Sequence, residues 1–273
     1  MALIFTWPYN SPTTVLDYET LHKSYAQKVS TKDTEPLKIS EQDKKNLTEL
    51  PILMYHHVGE LPENSDAIRR DLTVSTTDFE REVKWLSDQG YHSVSLNEIY
   101  ESVVNKKSLP AKPIVFTFDD GYDDTLVNAP AILKKYNYTA SFAIITGFVG
   151  SLGYASWSQI SAAKNMEMEI VSHTQNHFDG SSSKYSFNYI KENLLASQND
   201  IYANLGINTN ILIYPYGHYT NQYVEAAKQD GFVMGLTVHF GRFINLNDLM
   251  ELPRVRVHGN ETMNKFIENL TKN

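Results

Sequence analysis

The chain is predicted to be an α/β protein whose parallel strands close into a barrel. Two observations carry this. From Pro51 onward, short apolar strand-like runs alternate with amphipathic helix-like ones, the pattern of parallel strands joined by crossover helices. There are roughly seven or eight such repeats, which favours closure over an open sheet. A chain of 273 residues lies within the length that barrels of this kind use as one unit. No repeat is visible in the sequence itself.

Taken in order, residues 11–50 are polar, with Lys28, Lys32, Lys38, Lys44 and Lys45 scattered among Ser, Thr, Asp and Glu. Residues 1–50 are therefore read as an N-terminal extension or linker, with one helix over 16–29, and residues 51–273 as the catalytic domain. The strand candidates are 52–55, 93–95, 114–118, 141–145, 169–172, 211–214, 234–238 and 254–257, each short, apolar and flanked by turn residues. Among the helices, the clearest begins at Thr77-Asp78-Phe79-Glu80, a capping-box pattern that satisfies two orphan backbone donors. Phe79, Val83 and Leu86 line its apolar face, and Gly90 ends it. Further helices are expected over 129–136, 158–165, 187–205, 221–230 and 262–270.

An apolar content of 41% with 21% charged residues is enough to fill a sizeable core. A net charge of -8 argues against nucleic acid as a partner, because binding a phosphate backbone calls for a basic face. With no cysteine, disulfides and thiolate metal sites are excluded, so any metal must rest on His and carboxylate. The run Ala2-Leu3-Ile4-Phe5 lacks a basic flank and meets Pro8 too soon for a signal peptide or a membrane span. Tyr and Phe, at 17 and 12, are plentiful enough for sugar stacking as well as core packing.

In a parallel barrel, functional residues gather where strands end. Ile114-Val115-Phe116-Thr117-Phe118 runs directly into Asp119-Asp120-Gly121. Two adjacent carboxylates repel unless a cation or proton lies between them, although Asp-Asp-Gly is also good turn chemistry. After the strand Glu169-Ile170-Val171-Ser172 comes His173-Thr174-Gln175-Asn176-His177. Two His four apart share one side of a helical turn, so both can reach a common ion while a carboxylate arrives from elsewhere. Tyr214-Pro215-Tyr216-Gly217 follows a third strand as a rigid turn able to aim N–H groups into the site. Leu252-Pro253-Arg254-Val255-Arg256-Val257 is a strand ending in His258. Asp123 and Asp124 read as a solvated turn or helix start, and Glu167 and Glu169 as exposed.

Thr117-Phe118-Asp119-Asp120-Gly121, Ser172-His173-Thr174-Gln175-Asn176-His177 and Tyr214-Pro215-Tyr216-Gly217 resemble, in order and separation, the first three motifs of the polysaccharide deacetylase family. This is the NodB-type domain of carbohydrate esterase family four, and the resemblance runs from Pro51 to His258. Pro51-Ile52-Leu53-Met54-Tyr55-His56-His57-Val58 is similar to the opening strand of the branch that includes the poly-N-acetylglucosamine deacetylases of biofilms. The resemblance implies a distorted (β/α)7 barrel and a divalent metal, usually zinc and otherwise cobalt or nickel. It implies Asp120, His173 and His177 as metal ligands, Asp119 as catalytic base, the Tyr216 N–H as oxyanion donor and His258 as general acid. Substrate contacts are expected from His56, Tyr214 and Tyr216, with a buried structural role for His56 equally open.

Two departures stand out. Where many members carry Arg two residues before the Pro of the third motif, this chain has Ile213, so the group that orients the base must come from elsewhere, with Arg254 or Arg256 as the candidates. No clear Asp-x-x-Asp-Trp fourth motif is found, and Trp85 and Trp157 sit in other contexts. The expected activity is removal of N-acetyl groups from a GlcNAc-containing polymer, with the protein outside the cell or at its surface and monomeric. An O-acetyl esterase of xylan type and a non-catalytic sugar-binding protein remain the alternatives.

Overall fold

The alternation of short apolar runs with amphipathic ones resolves, in a computed structural model, into strands and helices over residues 47–271. The strands are β1 (Leu47–Glu49), β2 (Ile52–Tyr55), β3 (His57–Val58), β4 (Thr73–Val74), β5 (His92–Ser93), β6 (Pro113–Phe118), β7 (Ser141–Ile144), β8 (Glu169–Ser172), β9 (Ile211–Ile213), β10 (Met234–Phe240), β11 (Phe243–Asn245) and β12 (Leu252–Arg256). The helices are α1 (Ala67–Leu72), α2 (Thr76–Asp88), α3 (Leu96–Val104), α4 (Asp123–Lys135), α5 (Trp157–Asn165), α6 (Phe187–Leu205), α7 (Asn221–Gln229) and α8 (Met263–Thr271). No described helix is long and apolar enough to cross a membrane. The helix expected over 16–29 lies outside the described residues.

Seven strands, in the order β2-β12-β10-β9-β8-β7-β6, pair in parallel, and β2 pairs back onto β6 to close the barrel. Strand β5 adds to the start of β6, with His92 opposite Pro113. The last residues of the expected extension belong to this body: β1 runs antiparallel to β11, and Leu50 is fully buried.

Side chains alternate across each strand, and the alternation sorts the apolar residues into separate cores. Ile52, Val115, Ala143, Val171, Ile213, Leu236 and Leu252 share one cluster, which only the barrel interior can bring together. Leu53, Phe116, Phe142, Ile170 and Val255 share a second cluster with residues of α2, α4, α5 and α8, the layer between barrel and helices. Residues at both parities are buried, as expected of a parallel sheet covered by helices. The same parity turns Thr117 and Asp119 inward after Val115, and Arg254 inward after Leu252.

Several element boundaries differ from expectation for identifiable reasons. Helix α2 starts before Thr77 because Ser75 is its cap, accepting from the Asp78 N–H at 3.0 Å. Helix α4 begins at Asp123 rather than residue 129, with Asp123 and Asp124 in the first turn where the helix dipole favours negative charge. Pro130 is accommodated inside it. Ser95, expected in a strand, is the N-cap of α3 in a complete capping box with Glu98. Glu169 is not exposed: its carboxylate accepts from the Leu96 and Asn97 N–H groups at 3.0 and 2.9 Å and from the Ser141 hydroxyl. It thereby anchors the N-terminus of α3 to the barrel wall.

Candidate active site

The site lies at the C-terminal ends of the barrel strands. The Asp119 N–H extends the ladder to Tyr55 O at 3.0 Å, and the His173 N–H does the same to Ile144 O at 3.0 Å. Immediately after Asp119 the chain turns through two left-handed residues, Asp120 at φ 74° and Gly121 at φ 78°. Asp tolerates this region better than most residues, and Gly enters it freely. A Cβ at Gly121 would lie 3.2 Å from the Ile144 side chain, so the turn is also tight.

Residues 173–177 form a bend with Thr174 at φ 67° and His177 at φ 50°. This corrects the expected helical turn, since left-handed residues at both positions preclude one. The two imidazoles nevertheless meet: Nε2 of His173 and Nε2 of His177 each lie 3.2 Å from Oδ1 of Asp120. Nδ1 of His173 is 2.7 Å from Ile213 O, so that nitrogen carries the proton and Nε2 presents its lone pair to the centre. Two imidazole nitrogens and a carboxylate oxygen thus converge, all within 4.8 Å of one another and with Asp120 and His173 almost wholly buried. Such a set needs a proton or a cation at its centre, and His with carboxylate is the donor set zinc and its neighbours take. Burial would raise the Asp120 carboxyl, but bonding to His173 and His177 holds it well below 3.8. Burial disfavours both imidazolium forms; the bond to Asp120 outweighs this for His173, which is raised, but not for His177, which is lowered.

Asp119 has a different environment. Arg254 grips it with two parallel bonds, Nη1 to Oδ1 at 2.7 Å and Nη2 to Oδ2 at 2.8 Å. The guanidinium is itself fixed by Thr237 O at 2.7 Å and Thr117 Oγ1 at 3.0 Å, and Arg254 is 1% exposed. Burial pushes the Asp119 carboxyl up, and the charge of Arg254 more than reverses it, leaving the group below its usual value. Of the two candidate arginines, Arg256 points instead to Asp71 on α1, at 2.7 Å. Ile213 contributes its carbonyl to His173 while its side chain fills the barrel interior.

Tyr216 sits at φ 60° in the short turn Pro215–Gly217, its ring centroid 4.6 Å from that of His177. Gly217 follows at φ 67°, where a Cβ would collide with Val238. Tyr214, expected among the substrate contacts, instead has its ring fully buried against Tyr219 and Tyr223 in the core under α6 and α7. A strand-end residue one position before the turn keeps the outward parity, which explains the difference.

His56 is buried, and burial lowers it to about 4 despite the nearby Asp119 and Asp120 carboxylates. His57 is stacked on Tyr122 at 3.6 Å, with Nδ1 3.0 Å from Asp124 and Nε2 bonded to Arg69. Asp124 is therefore partnered rather than simply solvated. His258 is half-buried, with Nδ1 2.7 Å from Asp71 Oδ1. Asp71, which also holds Arg256, escaped sequence reading because α1 has no clear apolar period to mark it as structured.

Comparison with known proteins places this geometry among relatives. The model of the polysaccharide deacetylase family matches residues 106–235. YxkH of Bacillus subtilis, assigned by name to the polysaccharide deacetylases, is 29% identical over 76% of this chain and 71% of its own length. The poly-β-1,6-N-acetyl-D-glucosamine N-deacetylase of Escherichia coli O157:H7 is 24% identical over 80% of this chain, a match spanning only 38% of that enzyme. The structure of the Streptococcus pyogenes deacetylase PplD in complex with acetate superposes with a TM-score of 0.74 at 27% identity, covering 82% of this chain and 99% of that one.

Proposed function

The chain belongs to the polysaccharide deacetylase family, and from that premise we propose that it is a metal-dependent hydrolase removing N-acetyl groups from a GlcNAc-containing polysaccharide. The carrying observation is the convergence of Asp120, His173 and His177 beside a carboxylate, Asp119, that Arg254 keeps ionised and oriented. Similarity to poly-β-1,6-GlcNAc deacetylases supports that polymer as the first substrate to test. Substrates of this kind lie outside the cell, so we place the protein at the cell surface or beyond it, acting as a monomer.

Asp120, His173 and His177 would hold a divalent ion, zinc by preference and cobalt or nickel by similarity of ligand taste. Such an ion supplies Lewis acidity toward the acetyl carbonyl and lowers the pKa of water. Asp119 takes the proton of the attacking water, its two oxygens aimed by Arg254. The Tyr216 N–H, presented by a turn that Gly217 makes possible, donates to the developing oxyanion. His258 delivers a proton to the leaving amine, its ring held in place by Asp71 at 2.7 Å. His258→Ala tests this assignment: turnover should fall by about a hundredfold or more, and wild-type turnover would remove His258 from the role of acid.

The deciding experiment is acetate release from poly-β-1,6-GlcNAc, chitin oligomers and peptidoglycan, with acetylated xylan as an ester control and chelated protein as blank. Metal-dependent release from at least one amide substrate is expected. Release from xylan alone would make the protein an esterase, and binding without release would make it a sugar-binding protein.

A further inference from the structure

The bend that carries His173 and His177 places Thr174 and His177 in the left-handed region, which L-residues enter only when surroundings enforce it. Each backbone N–H from residue 174 to 177 is satisfied by a side-chain oxygen. Thr174 N–H goes to Ser172 Oγ at 3.1 Å and His177 N–H to Thr174 Oγ1 at 3.0 Å. The two between them, Gln175 and Asn176, donate to one atom, Oδ1 of Asn193, at 3.0 and 3.4 Å. Because both partners are donors, it must be the carboxamide oxygen that faces the bend.

Asn193 lies in the interior of α6 and is buried, on a face whose other buried residues are Ile190, Leu194, Ser197, Ile201 and Leu205. Asn is a poor helix former, and a buried amide is costly unless bonded. A similar polar intrusion recurs along the same face. Ser197 bonds Ser172, whose hydroxyl oxygen receives the Thr174 N–H. One turn further, Asp200 accepts from Gln175 Nε2 at 3.2 Å and from Thr146 Oγ1 at 2.7 Å. Each member of this stripe bonds to residues 172–176, and Asp200 to Thr146 as well.

We infer that Asn193 is a positioning residue for the metal centre: by holding two consecutive N–H groups between the two His ligands, it fixes the separation of their Nε2 atoms and thereby sets divalent-cation affinity. Ser197 supports the start of the same bend. The inference rests on the reading that Asp120, His173 and His177 hold a divalent ion.

The test is equilibrium binding of Zn²⁺ by chelator competition, together with the visible spectrum of the Co²⁺ form, both without substrate. Asn193→Leu keeps the bulk and loses the acceptor; Asn193→Asp keeps the acceptor. The Leu variant is expected to bind Zn²⁺ about 10–100-fold more weakly, the loss typical when a group orienting a metal ligand is removed. The Asp variant should bind Zn²⁺ to within about threefold of the unsubstituted protein, with a Co²⁺ spectrum like it. Unchanged affinity in the Leu variant, or an equal loss in both, overturns the inference and leaves the metal centre standing. No Zn²⁺ or Co²⁺ binding by the unsubstituted protein overturns the metal reading and this inference with it. Should neither Asn193 variant melt cooperatively, Ser197→Ala carries the test: several-fold weaker binding supports the inference, and unchanged affinity overturns it.

Discussion

Asp119 at the mouth of the barrel and Glu82 in the layer between β2 and α2 are both carboxyls about 4% exposed, yet the protein holds them in opposite states. Glu82 lies among Tyr55, Phe79 and Val83, with the Tyr55 hydroxyl donating to it at 2.9 Å. Burial lifts it to about 8; the Tyr55 bond opposes this without reversing it, and the Glu261 and Asp78 charges add to the rise. Asp119 is buried as deeply, but a bidentate guanidinium reverses the burial effect. The lesson is that depth alone predicts a neutral acid, and a single fixed cation converts the same group into an ionised base.

The sharpest way to break this contrast is to remove the cation. Arg254→Met leaves Asp119 buried without its partner and should cost about 3–5 kcal/mol of stability near neutral pH, measured by denaturant unfolding. By sign, a carboxyl depressed in the folded state stabilises above its unfolded value and loses that contribution as pH falls through the folded one. The variant should therefore lose its acid-side dependence on Asp119. A smaller loss near pH 7 would mean that Asp119 is already compensated elsewhere.

Asp119→Asn tests the other partner. It retains the shape of the pair and the metal ligands, so Zn²⁺ affinity should persist while turnover falls by about a hundredfold or more. Wild-type turnover would remove Asp119 from the role of base.

Glu82→Gln sharpens the comparison from the neutral side. A carboxyl raised from 4.5 to about 8 contributes stability that is full below 4.5 and lost as pH rises to about 8. In that window the wild-type protein should weaken by up to about 1.4 kcal/mol per pH unit from this group, and the Gln variant should show a flatter profile. Parallel profiles would show that Glu82 is ionised at neutral pH. The smallest effect concerns a region remote from both acids: Ser75→Ala, which deletes the cap of α2, should cost about 1 kcal/mol with no change in turnover.

Much of the frame was legible because it rests on local periodicity. The runs at 52–55 and 169–172 and the helix at 187–205 appear as expected, since apolar period and turn residues mark their ends. Asp119, Asp120, His173 and His177 were recognisable as a group from strand-end placement and motif order. Other features depend on what arrives from a distance. Ser95 reads as strand continuation until Glu98 and the Glu169 carboxylate are seen to cap a helix there. The path from His173 to His177 reads as a helical turn until the Asn193 oxygen takes two of its N–H groups. Tyr214 reads as a site residue until strand parity is carried one position past β9 and its ring falls into the core.

Local pattern fixes the chemistry available at each strand end: carboxylates after β6, imidazoles after β8, a Pro–Gly turn after β9, and arginines in β12. Which arginine meets the base, and which buried acid stays charged, is set by packing between distant strands. Arg254 and Asp119 are 135 residues apart, and they meet because closure of the barrel turns both strands' inward parity toward one axis. Ionisation depends on such distances and on burial, neither of which a local pattern encodes.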